Sequence, residues 1–152
     1  DFADQARPLV EADLQRSLTD HEVDSFIALL PLVKERTKLL NEIPDQARFL
    51  FVAPDEYDEK SWSKVMETEE APMALDGGTD ALRNLETWTT EAIDSALRAM
   101  LEANELSARK GLQPLRVAIS GSTVSPPLFE SIEVLGKDET LARFARARGK
   151  LG

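Results

Sequence analysis

The 152-residue chain is long enough for one domain or two small packed domains, and its 42% hydrophobic content suffices for a buried core. It contains no cysteine, which excludes disulfide bonds and thiolate-bound metal ions, and no apolar run approaches the roughly 18 residues needed to cross a bilayer. The net charge of −10, taken alone, argues against a nucleic-acid partner.

The charges are unevenly distributed along the chain. Residues 107–152 carry eight lysines and arginines against four acidic residues, whereas residues 1–106 carry ten against twenty-four. Charged residues often do no more than solvate a surface, but this asymmetry indicates which end could face a polyanion. The chain begins with Asp1 rather than methionine, so we expect it to be a piece of a longer protein.

The apolar pattern predicts helices along almost the whole chain. Apolar residues recur at helical spacing over 5–18, after which Thr19 and Glu22 form a capping box that satisfies backbone N–H groups reciprocally. Pro31 lacks the donor that a helix interior needs, so we expect it to kink the second helix or to open a new one. The apolar run 45–52 fits either a strand or a buried helical turn.

The middle of the chain contains the clearest turn signals. The segment 54–58 is the best candidate for an internal boundary, and the adjacent glycines of 76–80 predict a loop. Over 80–105 the apolar residues fall at three- and four-residue steps, which predicts one long amphipathic helix packed into the core. Gly111 is expected to end that helix.

The segment 114–121 is ambiguous on local grounds. Its apolar residues alternate as they would in a strand, whereas Pro114 and Gly121 favour a short helix that begins at a proline and stops at a glycine. Both readings therefore remain open from the local pattern alone.

Two more helices are predicted near the C-terminus. Pro126 and Pro127 open the first, which Gly136 stops, and Asp138 caps the second. The side of the last helix that is expected to face inward carries Leu141, Ala142, Phe144 and Ala145. Its basic flank consists of Arg143, Arg146 and Arg148.

No residue pattern indicates an active site within the chain. His21, the single histidine, lies beside a helix cap without an inferable nucleophile or orienting group. The segment 120–122 lacks the glycine pattern of a nucleophile elbow, and Gly77-Gly78 is not followed by the Lys-Ser/Thr pair of a phosphate loop. We therefore expect no catalytic residue, metal ion or cofactor in this chain.

Recognition of single-stranded RNA is the remaining chemical candidate. Arg116 stands in an apolar run, and a guanidinium can donate two parallel hydrogen bonds to a base or stack on it. The proline-stiffened turn 122–127 can present backbone groups, and Leu128 can supply an apolar wall. The alternative for Arg116 is a surface arginine with a packed stem.

These motifs resemble the C-terminal anticodon-binding region of bacterial-type glutamyl-tRNA synthetases. The resemblance implies an all-α fold of two packed helical subdomains, 1–57 and 58–152, that grips the anticodon loop of tRNA(Glu). The segments that carry it are Pro114-Leu115-Arg116-x-Ala118-x-Ser120-Gly121, the run Ser125-Pro126-Pro127-Leu128-Phe129-Glu130 and Leu135-Gly136-Lys137, with further likeness in 31–40 and 47–51.

The resemblance also implies roles for single residues. It places an anticodon-reading arginine at Arg116 and a second one, on an earlier helix, at Arg36. The residues of the following turn that are expected to approach the bases are Ser125, Pro126 and Leu128. The supporting residues are Pro127, Gly121 and Arg143. Two positions depart from the family, which commonly has threonine where Ser120 stands and glycine where Pro127 stands.

The HIGH-like and KMSKS-like catalytic signatures of that family do not occur here, so the chain is expected to be inactive alone. A catalytic domain upstream in the same protein would use ATP and magnesium to ligate glutamate to tRNA(Glu). We expect a cytoplasmic monomer without membrane contact. Two alternatives are a free-standing acidic helical domain that binds other proteins, and a paralogue that modifies tRNA, although such relatives generally lack this region.

Overall fold

The computed structural model describes residues 2–34, 48–54, 56–123 and 125–151, and all secondary structure within them is helical. The chain forms two compact units, Asp1–Val52 and Ala53–Gly152. This division lies a few residues before the predicted boundary at Tyr57, and the two functional subdomains stay a prediction. Within the described segments no helix is both long and apolar enough to span a bilayer.

The first unit contains helices α1 (Phe2–Leu14) and α2 (Asp20–Lys34), and residues 48–51 form a further helical turn. The helix α2 continues through Pro31 to Lys34, so the proline does not open a new helix. The buried apolar residues of this unit include Ala6, Val10, Leu18, Phe26, Leu29, Leu30 and Phe49.

The predicted capping box lies at the start of α2. Thr19 Oγ1 accepts a hydrogen bond from the Glu22 backbone N–H at 3.2 Å, and Glu22 Oε1 accepts one from the Thr19 N–H at 3.0 Å. Arg16 then donates from both terminal nitrogens to the two carboxylate oxygens of Glu22, each at 2.7 Å. These bonds, led by the one from Arg16, lower the pKa of Glu22 to about 2.

The second unit begins with a short helix, α3 (Glu59–Ser61), which runs into a π-helical turn at Trp62–Met66. Five longer helices follow: α4 (Glu70–Arg83), α5 (Thr90–Ala103), α6 (Ala108–Ser120), α7 (Leu128–Leu135) and α8 (Lys137–Leu151). Helix α4 packs against α5, α6 and α8, and α7 contacts α5 and α8. The centre of the core consists of Leu75, Leu82, Ile93, Leu97, Leu115, Ile119, Ile132 and Phe144.

The loop predicted at 76–80 is wrong, because these residues lie inside α4. The two glycines serve close packing between helices. A Cβ on Gly77 would stand 2.8 Å from Met100 Cγ, and one on Gly78 would stand 2.9 Å from Leu115 Cδ2. The burial gained by bringing α5 and α6 this close outweighs the helix-weakening effect of glycine.

The single long helix predicted over 80–105 is also wrong, because α4 ends at Arg83 and α5 begins at Thr90. Thr89 caps α5 by accepting from the Ala92 N–H at 3.1 Å. Glu133 of α7 holds the break from the other side, since its carboxylate accepts from the Thr90 N–H at 2.6 Å. The apolar residues of the break still fall near helical spacing, so periodicity alone could not detect it.

Helix α6 is longer than the sequence indicated. Ser107 caps it by accepting from the Lys110 N–H at 3.2 Å, and the helix then passes through Gly111 and Pro114. The prediction that Gly111 ends a helix is therefore wrong. Pro114 lies well inside α6 rather than in its first turn. A Cβ on Gly111 would lie 2.0 Å from Leu101 Cδ2, so the glycine is explained by the approach of α5.

The helices near the C-terminus follow the prediction with two corrections. Helix α7 begins after Pro127 and stops at Gly136, as predicted. Helix α8 begins at Lys137, so Asp138 lies in its first turn rather than at its cap. Ala142 and Ala145 are exposed rather than inward-facing.

Candidate functional site

The connection between α6 and α7 forms a tight corner, called here the α6–α7 turn (121–123 and 125–127). Gly121 ends α6 in the left-handed region, with φ 83° and ψ −1°, and its N–H donates to the Val117 carbonyl at 2.7 Å. A Cβ there would also stand 3.3 Å from the Glu56 carbonyl oxygen. Both the dihedral angles and the available space therefore require glycine.

Arg116 braces this turn from the middle of α6. Its Nη1 donates to the Pro126 carbonyl at 2.8 Å, to Ser125 Oγ at 2.9 Å and to the Ser125 carbonyl at 3.3 Å. Ser125 is only 5% exposed, and Arg116 is half-buried. Three of the predicted site residues, Arg116, Ser125 and Pro126, thus lie in direct contact.

The other side of the turn is held by the start of α3, which the sequence reading did not connect with the site. The Asp58 N–H donates to the Gly121 carbonyl at 2.8 Å, and the Thr123 N–H donates to Ser61 Oγ at 3.1 Å. Ser61 in turn donates to Asp58 Oδ2 at 2.9 Å. The hydrogen bonds from Ser61 lower the pKa of Asp58. The sequence contained one signal for this contact, the three-residue spacing of Asp58 and Ser61, which is typical of a helix cap.

Leu128 belongs to the core rather than to an open surface. It is 4% exposed and packs within the central apolar cluster of the second unit. Pro126 is buried as well, whereas Pro127 is half-buried and directly precedes α7. Leu128 therefore anchors α7 beneath the turn.

Arg143 is buried, at 3% exposure, so it does not belong to the basic flank that the sequence predicted. Its Nη1 donates to the Ile119 carbonyl at 2.7 Å, and its Nε donates to Glu139 Oε1 at 2.8 Å. Burial lowers the pKa of Arg143, and the bond to Glu139 opposes that effect. Because the last carbonyls of a helix have no partner within it, Arg143 stabilises the end of α6 beside the turn.

A basic cleft of about 510 Å³ lies on the same unit, and Thr123 of the α6–α7 turn forms part of its wall. Lys64 of the π-helical turn and two residues of the first turn of α6, Arg109 and Lys110, line it together with Glu70 and Gln113. We call this the α6 cleft. Among the residues that the structure describes, no group of three or more His, Cys, Asp or Glu side chains is placed to hold a metal ion.

Residues 1–148 match the family model described as "Anticodon binding domain". The chain belongs to this family of anticodon-binding domains.

Similar proteins of known name agree with this family. The chain is 43% identical over 133 residues to the glutamate–tRNA ligase of Corynebacterium diphtheriae, a match that covers 86% of the chain and 27% of that ligase. It is 38% identical over 154 residues to the glutamate–tRNA ligase of Kocuria rhizophila, a match that covers 99% of the chain and 30% of that ligase. The anticodon-binding domain thus spans less than a third of the relatives that it matches, in their C-terminal region.

A solved structure leads to the same family. The crystal structure of a glutamate tRNA ligase from Elizabethkingia meningosepticum, in complex with its amino acid, superposes with a TM-score of 0.80 at 26% identity. The match covers 99% of the anticodon-binding domain and 30% of that chain. The predicted all-α class and the predicted family are both confirmed.

The remaining site prediction, Arg36, lies outside the described residues. The roles assigned to Arg116, Ser125, Pro126 and Leu128 in base recognition stay predictions. The sequence did not point to Ser61 or Lys64, which lie outside the segments that carry the family resemblance. Arg109 and Lys110 belong to the basic residues counted in 107–152, but the sequence assigned them to no site.

Proposed function

We propose that the anticodon-binding domain recognises the anticodon loop of tRNA(Glu) as part of a longer glutamate–tRNA ligase. The observation that carries the proposal is the contact of Arg116 with Ser125 and Pro126, which joins the predicted base-reading arginine to the predicted base-approaching turn. Family membership and the names of the relatives support the choice of RNA.

The bonding of the turn suits it to bind an unstacked base. RNA loops are recognised by groups that meet the Watson–Crick edge of a splayed base and by surfaces on which the base stacks. Here Arg116 fixes the direction of two carbonyl groups, and Ser61 fixes the other side of the turn. A turn ordered before binding loses less conformational entropy when RNA arrives, which favours affinity.

The ligation chemistry would take place elsewhere in the longer protein. ATP and magnesium would act in a catalytic domain outside this chain, where glutamate is activated and transferred. Binding energy gained at the anticodon would then serve to position the acceptor end of the tRNA. On this proposal the protein works in the cytoplasm, as a monomer.

The test is Arg116→Ala in the longer ligase, with charging of tRNA(Glu) and of a tRNA(Glu) with an altered anticodon measured side by side. We expect the fall in kcat/KM for the natural tRNA to correspond to a loss of about 1–3 kcal/mol in transition-state stabilisation, the usual worth of a bidentate base contact. The altered tRNA should lose little, so the preference between the two should shrink. Unchanged charging, or an equal loss for both tRNAs, would overturn the role of Arg116 in base recognition.

A further inference from the structure

The α6 cleft concentrates positive charge in a chain whose net charge is −10. Three cations, Lys64, Arg109 and Lys110, line it against a single carboxylate, Glu70. Lys110 Nζ lies 3.3 Å from Glu70 Oε1, so one cation is already paired. In the described part of the chain Lys64 and Arg109 have no hydrogen-bond or ion-pair partner, which leaves their charges available to a ligand.

The position of Arg109 is not explained by the stability of α6. Arg109 and Lys110 lie in the first helical turn, directly after the cap at Ser107. The N-terminus of a helix carries partial positive charge, so cations there weaken the helix slightly and anions strengthen it. An anion bound in the cleft would offset this effect, because the charges of Arg109 and Lys110 would then face a negative group.

Gln113 adds a polar group of a second kind to the wall of the cleft. Its side-chain oxygen is buried in the wall of the cleft and has no hydrogen-bond partner. A buried acceptor left without a donor costs free energy, so such groups are rare in native proteins. Because the Gln113 side chain is only half-buried, a change of its rotamer would bring this oxygen into the cleft, where a hydroxyl or amino group of a ligand would donate to it.

The cleft also lies close to Arg116. Gln113 precedes Arg116 by three residues on α6, a rise of about 4.5 Å along the helix. Thr123 belongs both to the wall of the cleft and to the α6–α7 turn. A strand of RNA with one base at the turn would therefore have a neighbouring nucleotide beside the cleft.

We propose that the α6 cleft binds the backbone phosphate of a nucleotide next to the one at the α6–α7 turn. Lys64 and Arg109 contact the phosphate, and Gln113 accepts a hydrogen bond from the same nucleotide. This inference rests on the proposed function. It concerns affinity that does not depend on the anticodon sequence, since phosphate contacts position a nucleic acid without reading its bases.

The test measures tRNA binding by the full-length protein that carries this chain, over a range of salt concentrations. The variants are Lys64→Gln and Arg109→Gln, singly and combined. Because Lys64 and Arg109 share one phosphate, the double variant should flatten the plot of log K against log salt by about 0.7–0.9, and each single variant should flatten it by less. The loss should be equal for natural tRNA(Glu) and for a tRNA with an altered anticodon.

The matched control is Arg83→Gln, which removes an exposed arginine from the far end of α4 and should leave the salt slope unchanged. Gln113→Leu separates a ligand-binding role from a structural one. If Gln113 serves RNA, the variant weakens tRNA binding while its melting temperature is equal or higher, because a buried orphan acceptor has been removed.

An unchanged salt slope in the double variant would overturn the proposal, as would a loss confined to the natural anticodon. The same variants are titrated with a polyglutamate peptide, and weaker peptide binding beside unchanged tRNA binding would assign the cleft to an acidic protein partner instead. The two proposals can also be separated. If Arg116→Ala leaves charging of tRNA(Glu) unchanged while the double variant flattens the salt slope, RNA binds at the cleft without base recognition at the turn.

Discussion

Nη1 of Arg116 lies 2.8 Å from the carbonyl oxygen of Pro126, ten residues further along the chain. The bond ties the middle of α6 to the last part of the turn that leads into α7. The residue predicted to meet RNA is therefore also a structural brace. Its two contributions must be measured separately.

The first prediction concerns the stability effect of that brace. In Arg116→Ala the Ser125 hydroxyl and the Pro126 carbonyl lose their charged donor, and we expect the free energy of unfolding to fall by about 1–3 kcal/mol. Urea unfolding of the chain, followed by circular dichroism, measures it. Arg83→Ala is the comparison and should cost less, because the Arg83 side chain is 62% exposed. An unchanged midpoint for Arg116→Ala would mean that the three bonds do not stabilise the fold.

The second prediction concerns Gly121, which has a φ of 83°. In Gly121→Ala the left-handed backbone costs about 1–2 kcal/mol, and the new methyl group would meet Pro54 Cβ at 3.1 Å, so the loss should reach at least that size. Gly149→Ala is the control, because nothing lies within 4 Å of a Cβ there and alanine suits a helix better. Thermal melts of both variants decide the matter. Equal melting temperatures would contradict the requirement for glycine at 121.

The glycines illustrate how much of the fold the sequence could predict. Gly121 and Gly136 follow apolar helical runs and end helices. A stop signal of this kind is local, so the sequence predicts both helix ends correctly. Gly78 and Gly111 lie inside helices, and glycine is needed there because side chains of partner helices approach the backbone closely. That approach depends on residues far away in the sequence, which a local pattern does not contain.

The candidate site also contains residues that a local sequence pattern could predict and residues that only the fold brings together. Arg116 and the following turn were found because their motif is contiguous in sequence. The bond from Thr123 to Ser61 joins residues 62 positions apart. Lys64 and Arg109 likewise come together only through packing, so no spacing rule along the chain could pair them.

The third prediction tests the reason given for Gly111. In Gly111→Ala the new Cβ would lie 2.0 Å from Leu101 Cδ2, and we expect a loss of about 1–3 kcal/mol from overpacking. The double variant with Leu101→Ala removes the clash, so its loss should be smaller than the sum of the single losses. Urea unfolding of all three proteins gives the coupling. Strict additivity would show that the two side chains do not compete for space.

The fourth prediction concerns pH and the cap of α2. The pKa of Glu22 is lowered to about 2, so its stabilising effect is present above its unfolded pKa of about 4.3 and disappears as the pH falls toward 2. Since the pair with Arg16 is partly exposed, solvent screening keeps this contribution small. NMR titration of the Glu22 carboxyl measures the pKa directly. Arg16→Gln should raise it toward its ordinary range, and a value that does not move would contradict the assigned cause.

The fifth prediction concerns Arg143, whose buried guanidinium donates to the Ile119 carbonyl at the end of α6. Arg143→Met keeps much of the apolar volume but leaves that carbonyl without its donor, so we expect a loss of about 1–3 kcal/mol. Glu139→Gln is the matched control, because Glu139 is 47% exposed and its removal leaves the bond to Ile119 in place. Urea unfolding compares the two. A binding measurement at a temperature where both variants are folded tests whether Arg143 acts only through the fold. In that case Arg143→Met should weaken binding of natural and altered tRNA equally. A loss confined to the natural anticodon would make Arg143 a base-contacting residue.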